Sequence, residues 1–389
     1  MRIAFFTNAY KPITSGVVVH IEHLRKALQR QGHQVYVFAP EYHDYVDADE
    51  GIYRFKSMDL TQKVDFPVAV PYTAGAMEVL REFRPDLIHV HHPFVMGPAG
   101  ARCAKKLDIP TLFTFHTDYQ LYTDLIPFPE LWVKTAANRL VRDFCNKMTC
   151  VVTPAESKRR QLLSIGVERP IHVIPNAVDA AAYARVDEEE TEALRRQYYL
   201  RGQRVLLYVG RLSAEKNLPF LLEAYKLILR QDGHCRLLLV GGGPQEEELR
   251  DKVRQMGLTD RVTFTGNVEY DRLPAYYRLA DAFLFASRNE SCPLAVLEAM
   301  AAGLPIMALD APWARDLLRH GENALLLPND LQQYTEAVLE LFAHPQVREQ
   351  LRQGALATAP QYSVERIADR ITAIYEAVRR TYEAQDRAE

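Results

Sequence analysis

The sequence predicts two α/β domains in succession, each built on a doubly wound parallel sheet, and three observations predict it. At 389 residues the chain exceeds what one hydrophobic core usually supports. Short β-rich apolar runs alternate with longer helical patterns from end to end, the sequence form of buried parallel strands joined by helices. The alternation breaks once, near Asn176–Asp179 and through the acidic Asp187–Glu190, and then restarts.

In the first domain, Arg2–Thr7 reads as a strand, Val19–Gln31 as an amphipathic helix and Gln34–Ala39 as a second strand. Leu87–Val90, Thr111–Phe115 and Cys150–Thr153 continue the series, and Ile171–Ile174 closes it. In the second domain the strands are Arg204–Val209, Cys235–Val240, Val262–Thr265, Ala282–Phe285, Pro305–Leu309 and Ala324–Leu327. The helices Pro219–Arg230 and Gln245–Gln255 lie between the first of them. The domains are expected at 1–178 and 179–362. The last helix, Val364–Glu383, has spare length, and residues from about 363 to 389 are expected to cross back onto the first domain. Two such domains imply a cleft, and open parallel sheets bind ligands at strand C-terminal ends.

Hydrophobic residues make up 48% of the chain and charged residues 25%, which excludes a disordered chain. The net charge of -3 conceals an asymmetry: residues 1–178 hold 21 Lys+Arg against 18 Asp+Glu, and the remainder 26 against 32. A basic first half points to an anionic surface or to chance. The five cysteines, Cys103, Cys145, Cys150, Cys235 and Cys292, are odd in number and lack metal spacing, so reduced thiols in a cytoplasmic protein are expected. The apolar N-terminus reads as a buried strand rather than a signal segment, and no stretch approaches the roughly 20 apolar residues that span a bilayer. Any membrane contact is expected to be peripheral. No nucleic-acid partner is expected.

The pattern with most chemistry is Glu290-Ser-Cys-Pro-Leu294-Ala-Val-Leu-Glu298, leading into Gly303-Leu-Pro305. A helix is predicted to begin near Pro293, where a first-turn proline is tolerated. On a continuous helix the spacing would set the two carboxylates about two turns, or roughly 12 Å, apart near one face. Since Glu290 precedes the helix, it is expected to reach outward from the N-terminus while Glu298 sits on the helix side. A carboxylate accepts two hydrogen bonds from a diol, and the free N–H groups at the helix start, around Leu294, suit anionic or hydroxylated groups. The alternative is a pair of solvated glutamates.

Next comes Gly210-Arg211-Leu-Ser-Ala-Glu-Lys216-Asn217, after a strand. Two fixed cations beside a glycine match a diphosphate, the arginine as a fork and the lysine as a point charge. A surface ion pair of Lys216 with Glu215 is the alternative. Gly241-Gly242-Gly243-Pro244 lets backbone approach a ligand closely, or is a plain strand-to-helix turn. It lacks the third glycine of a dinucleotide fingerprint. Gly16 lies between a strand and the Val19 helix, and His116 follows the strand Thr111–Phe115. The run His89-Val-His91-His92 has no clear third metal ligand, and strand alternation separates adjacent histidines, so polar cleft lining is expected rather than a metal.

Taken in order, these residues resemble the retaining GT-B glycosyltransferases of family four over nearly the whole chain. The matching positions are Gly16, His116, Val173-Ile-Pro-Asn-Ala-Val-Asp179, Gly210-Arg211 with Lys216-Asn217, Gly241–Pro244, Gly266-Asn-Val268, and Glu290 to Glu298 running into Gly303-Leu-Pro305. The resemblance implies two Rossmann-like domains facing a central cleft and a nucleotide-sugar donor as co-substrate, with no resident cofactor and no metal. It implies that Glu298 holds the donor ribose and Glu290 the transferred sugar. Arg211 and Lys216 would hold the pyrophosphate, with Gly242 and Leu294 in the donor site. Val268 would meet the base, Gly16 would border the phosphate and His116 would lie at the reacting sugar. Arg211, Lys216 and a helix N-terminus can stabilise a leaving phosphate as a metal would. In one departure, Cys292-Pro293 stands where the family usually has Phe-Gly, removing one N–H.

The first domain resembles bacterial diacylglycerol glucosyltransferases at Asn8-Ala-Tyr-Lys-Pro with Gly16-Val-Val, His33–Pro40, Phe115–Tyr119 and Arg142–Asn146. That implies UDP-glucose as donor and a diacylglycerol or glycolipid as acceptor. Tyr119, Leu121, Tyr122, Leu125, Ile126, Phe128, Leu131 and Trp132 form an aromatic-apolar stretch, followed by Lys134, Arg139, Arg142 and Lys147. Apolar insertion beside basic residues suits an anionic bilayer. A buried helix-loop with solvated charges is the alternative, and within the family so is a soluble polyol or glycan acceptor. Among other classes, an NAD-dependent oxidoreductase needs a fingerprint that is missing. A nucleotide-sugar epimerase of the same build would return a nucleotide sugar, and a nucleotide-sensing binding protein would bind donor without hydrolysis or transfer.

Overall fold

A computed structural model describes residues 1–58, 67–70, 73–116 and 130–386 of the chain. Its internal contacts divide it into two compact units, Met1–Asn176 with Val364–Glu389, and Ala177–Ser363. The chain thus returns to its first unit at Val364.

The first unit contains strands β1 (Arg2–Phe6), β2 (Gln34–Pro40), β3 (Ile52–Phe55), β4 (Ser57–Met58), β5 (Val68–Ala69), β6 (Leu87–Val90), β7 (Thr111–Thr114), β8 (Cys150–Thr153) and β9 (Ile171–Val173). Seven of them form one parallel sheet in the order β3-β2-β1-β6-β7-β8-β9, while β4 and β5 pair separately and antiparallel. Ile3 to Phe6 and Leu87 to Val90 are fully buried, as strands covered by helices on both faces must be. Each fully buried Leu or Phe of this kind contributes about 1.5–3 kcal/mol. β3 and the β4–β5 pair escape sequence reading, because they are short and β3 is only half-buried, so no continuous apolar run announces them.

The helix Val364–Asp386 packs on the helix Gly16–Arg30 within this unit. Gln31 Nε2 donates to Asp369 (2.7 Å), and the buried Tyr375 hydroxyl meets His89 Nδ1 at 2.6 Å. All five cysteines are buried, and among the described residues none is joined in a disulfide. Among the described residues, no helix is long and apolar enough to cross a membrane.

The second unit contains β10 (Arg204–Val209), β11 (Cys235–Val240), β12 (Val262–Phe264), β13 (Ala282–Phe285), β14 (Ile306–Leu309) and β15 (Leu325–Leu327). They form one parallel sheet ordered β12-β11-β10-β13-β14-β15. Val205 to Tyr208 and Leu237 to Leu239 are wholly buried and in register, Leu206 opposite Leu237 and also opposite Ala282. The order runs outward from β10 to β12 on one side, then restarts at β13 on the other. The paired β10 and β13 therefore mark the topological switch point, beyond whose C-terminal ends the loops diverge, the place where open parallel sheets bind ligands.

Candidate functional site

The loops leaving β10 and β13 carry the residues singled out in the sequence. After β10 the chain turns at Gly210, whose φ of +148° favours glycine, and its N–H donates to Val240 O at 2.9 Å. Tyr208 is fully buried, and its hydroxyl donates to the Arg211 carbonyl (2.9 Å), holding that loop from beneath. Burial, then the charges of Glu290 and Glu215, push the Tyr208 pKa well up, so it stays a neutral donor. Arg211 is exposed at this edge. Ala214–Lys216 form a 3₁₀ turn, Asn217 adopts the left-handed conformation (φ +54°), and the helix Leu218–Gln231 follows with Pro219 in its first turn.

Lys216 does not pair with Glu215. Successive side chains on a 3₁₀ turn point about 120° apart, and the Glu215 carboxylate accepts from Ser213 Oγ (2.6 Å) instead. Lys216 Nζ donates to Glu290 Oε1 at 2.7 Å, across 74 residues of sequence. Their side chains are only 19% and 12% exposed. The loops bearing them are tied together independently. Ser287 Oγ donates to Glu215 O (3.1 Å), Asn217 Nδ2 to Ala286 O (3.4 Å), and the buried Trp313 Nε1 to Ser287 O (3.0 Å).

The helix after β13 runs Leu294–Ala301, with Pro293 as its N-cap rather than its first helical residue. The Pro293 carbonyl accepts from Val296 N (3.2 Å). Proline thus removes one donor, yet the N–H groups of Leu294 and Ala295 belong to the helix tip and have no intrahelical partner. Glu290 precedes this helix, as expected, and Glu298 lies within it. Neither is a solvated surface glutamate. Glu298 is 3% exposed, and its Oε2 accepts from the Tyr277 hydroxyl at 2.7 Å. Burial raises its pKa, and hydrogen bonding from Tyr277, then Tyr270 and Tyr183, offsets part of that rise.

The glycine run proves to be a packing requirement. A Cβ on Gly241 would lie 2.2 Å from Gly210 O, one on Gly242 2.9 Å from Asn267 Oδ1, and one on Gly243 2.4 Å from Leu212 O. Leu212 N donates to Gly242 O (2.9 Å), and Gly241 N to Gly266 O (3.0 Å). Three neighbouring loops thus lock backbone to backbone, and the following helix runs Glu246–Gln255, with the expected first residue Gln245 as its N-cap. Val268 lies half-buried in the loop after β12 at this same edge.

In the first unit, Gly16 is the first residue of the helix Gly16–Arg30 and not part of the preceding loop. Ser15 caps that helix, its Oγ accepting from Val18 N at 3.3 Å. The histidines do not line an open surface: His89 and His91 are fully buried, His20 is 5% exposed and His116 8%. Residues i and i+2 share a strand face, so the His89 and His91 rings come within 4.1 Å of each other. His91 Nδ1 meets His116 Nε2 at 2.9 Å, whereas His92 turns away to Thr7 Oγ1 and Asn8 N. Burial, then the neighbouring histidines, holds His116 well below the usual imidazole range. It is therefore an uncharged hydrogen-bonding group. Among the described residues no group of three or more His, Cys, Asp or Glu is arranged to hold a metal.

Of the aromatic-apolar stretch, residues 119–129 and the Leu131 side chain lie outside the described residues. The helix Glu130–Cys145 buries Val141, Phe144 and Cys145 but leaves Trp132 72% and Leu140 43% exposed, with Arg139 exposed beside them.

Sequence reading missed Tyr208, Tyr277, Ser287 and Trp313, which position the loops and Glu298. A lone tyrosine hydroxyl in the otherwise aliphatic run Val205–Val209 was the one available signal, since a buried hydroxyl needs a partner.

Residues 14–182 match the model of "Glycosyltransferase Family 4", and residues 190–358 that of "Glycosyl transferases group 1". The chain is 31% identical to the alpha-monoglucosyldiacylglycerol synthase of Streptococcus pneumoniae, over 82% of this chain and 73% of that protein. It is 27% identical to the D-inositol 3-phosphate glycosyltransferase of Jonesia denitrificans, over 94% and 91%. The structure of Anabaena Alr3699/HepE in complex with UDP and glucose superposes with a TM-score of 0.79 at 20% identity, over 97% and 99% of the two chains. With this fold, these matches and the edge just described, the chain belongs to the GT-B glycosyltransferases of family four.

Proposed function

We propose that the chain transfers a hexosyl unit, glucose from UDP-glucose, to a lipid acceptor such as diacylglycerol or a simple glycolipid, with retention of anomeric configuration. The observation that carries this reading is the Lys216–Glu290 pair at the switch point, beside the exposed Arg211 and the tip of the helix Leu294–Ala301. Arg211 and Lys216 neutralise the departing diphosphate, aided by the helix-tip N–H groups around Leu294. Glu290 grips hydroxyls of the transferred sugar. Glu298, aimed by Tyr277, accepts from the ribose diol. Val268 and the loop at Gly242 border the base and the nucleotide. In the first unit, Gly16 borders the phosphate, and His116 hydrogen-bonds at the reacting sugar as a neutral imidazole. The protein works without a resident cofactor or metal.

The lipid acceptor is supported by the likeness to a diacylglycerol-lipid synthase and by the exposed Trp132 and Leu140 beside Arg139, a surface suited to peripheral contact with an anionic membrane. The likeness to an inositol-phosphate transferase favours a second reading with a soluble polyol acceptor. Incubation of purified protein with a panel of nucleotide sugars and either a lipid extract or soluble polyols, followed by mass analysis, decides between them. A hexosylated lipid with free UDP is expected. A returned, epimerised nucleotide sugar would refute transfer.

A further inference from the structure

Lys216 and Glu290 are assigned to two different parts of one donor, the diphosphate and the hexose, but in the structure they hold each other at 2.7 Å. The pair is not an ordinary surface contact. Both side chains are less than one-fifth exposed, and they come from loops on two separate strands. The attraction is therefore less screened than in exposed pairs. A diphosphate approaching Lys216 meets an ammonium whose charge Glu290 already offsets. A hexose attached to that diphosphate brings hydroxyls that donate to the displaced carboxylate, whereas a bare nucleoside diphosphate brings none.

Resting on the proposed donor site, we infer that Glu290 competes with the nucleotide diphosphate for Lys216, so that the pair selects nucleotide sugar over bare nucleoside diphosphate. Separating the pair leaves a partly buried carboxylate in need of a partner. Only the intact donor supplies one. After transfer, the leaving nucleotide faces renewed competition from Glu290, which favours its release. The loops stay in place without the ion pair, because Ser287 to Glu215 O, Asn217 to Ala286 O and Trp313 to Ser287 O tie them through backbone carbonyls. Glu290→Gln therefore keeps the shape of the site while removing the competing charge.

The test is calorimetric titration of UDP, GDP and UDP-glucose into the full chain and the variants Glu290→Gln, Lys216→Met and the double variant, with thermal melts to check folding. Glu290→Ala replaces the glutamine variant should that one melt early. Glu290→Gln is expected to bind UDP about 5-fold more tightly, the scale of an ion pair worth roughly 1 kcal/mol, and to bind UDP-glucose no more tightly than the wild type. On the Lys216→Met background the same substitution is expected to change UDP affinity by less than about 2-fold, since pairs that share a partner are non-additive. UDP affinity that is unchanged or weaker in Glu290→Gln overturns the inference. A gain that persists undiminished without Lys216 also overturns it, because plain charge repulsion would then be the cause. If the wild type binds neither UDP nor GDP, or if Lys216→Met binds UDP as the wild type does, the donor-site reading itself falls and the inference with it.

Discussion

Replacing Gly243 by alanine adds one methyl group where the loops after β10 and β11 meet. The new Cβ would stand 2.4 Å from Leu212 O, 2.7 Å from Leu212 N and 2.8 Å from Leu212 C, all backbone atoms that cannot swing aside. Restoring an ordinary contact of about 3.4 Å requires the Leu212 backbone to move by about 1 Å, since a close-packed interior absorbs little of it. Two hydrogen bonds depend on that backbone, Leu212 N to Gly242 O (2.9 Å) and Gln245 N to Leu212 O (3.0 Å). Overpacking costs about 1–3 kcal/mol and each weakened bond about 0.5–1.5 kcal/mol, so about 3 kcal/mol is expected in all. For a unit of this size that lowers the melting temperature by roughly 6–12 °C. The shift also displaces Arg211, so KM for the donor should rise more than kcat falls. Gly233→Ala is the matched control: nothing lies within 4 Å of its Cβ, and it should be neutral or slightly stabilising. Melting curves and donor titrations of the two variants side by side are the assay. If Gly243→Ala melted with Gly233→Ala and kept the wild-type KM, the claim that glycine serves loop packing at this edge would be refuted.

Three further outcomes are expected. Lys216→Ala should cut turnover by about 100-fold or more, the scale of losing one stabilising group for a developing charge, and far more than it unfolds the protein; comparable activity would discredit the phosphate role. His20 is buried and held at about 4 by desolvation and then by His23, below the usual imidazole value of about 6.5. Its pKa is depressed in the folded state, so the stability it contributes is present above about pH 6.5 and is lost as pH falls towards about 4. The slope is about 1.4 kcal/mol per pH unit, and about 3 kcal/mol is lost across that window. Urea midpoints that fall between pH 7 and pH 5 in the wild type, and fall less in His20→Gln, would bear this out; a flat wild-type profile would sink it. Finally, the protein should cosediment with anionic vesicles, lose that binding at high salt, and bind less in Trp132→Ala. Equal partition onto neutral and anionic vesicles would remove the membrane reading and leave sugar transfer intact.

The doubly wound sheets were legible in the sequence because buried parallel strands are continuous apolar runs. Leu87–Val90, Cys150–Thr153 and Ala282–Phe285 fall where the runs lie, while half-buried Ile52–Phe55 left no such trace. Residue types at the site were legible too: Arg211, Lys216, Glu290 and Glu298 declare their charge wherever they fold. What the sequence could not specify was the partner of each charge. Lys216 stands next to Glu215 in the chain yet pairs with Glu290, because a 3₁₀ turn points neighbours apart and the strand order brings β13 beside β10. By the same logic His89 and His91 share one buried strand face, and a Cβ on Gly243 would meet the Leu212 backbone. Sequence patterning determines which segments are buried, since burial depends on local hydrophobic period; tertiary structure decides which charges and backbones meet, since that depends on contacts between residues far apart in the chain.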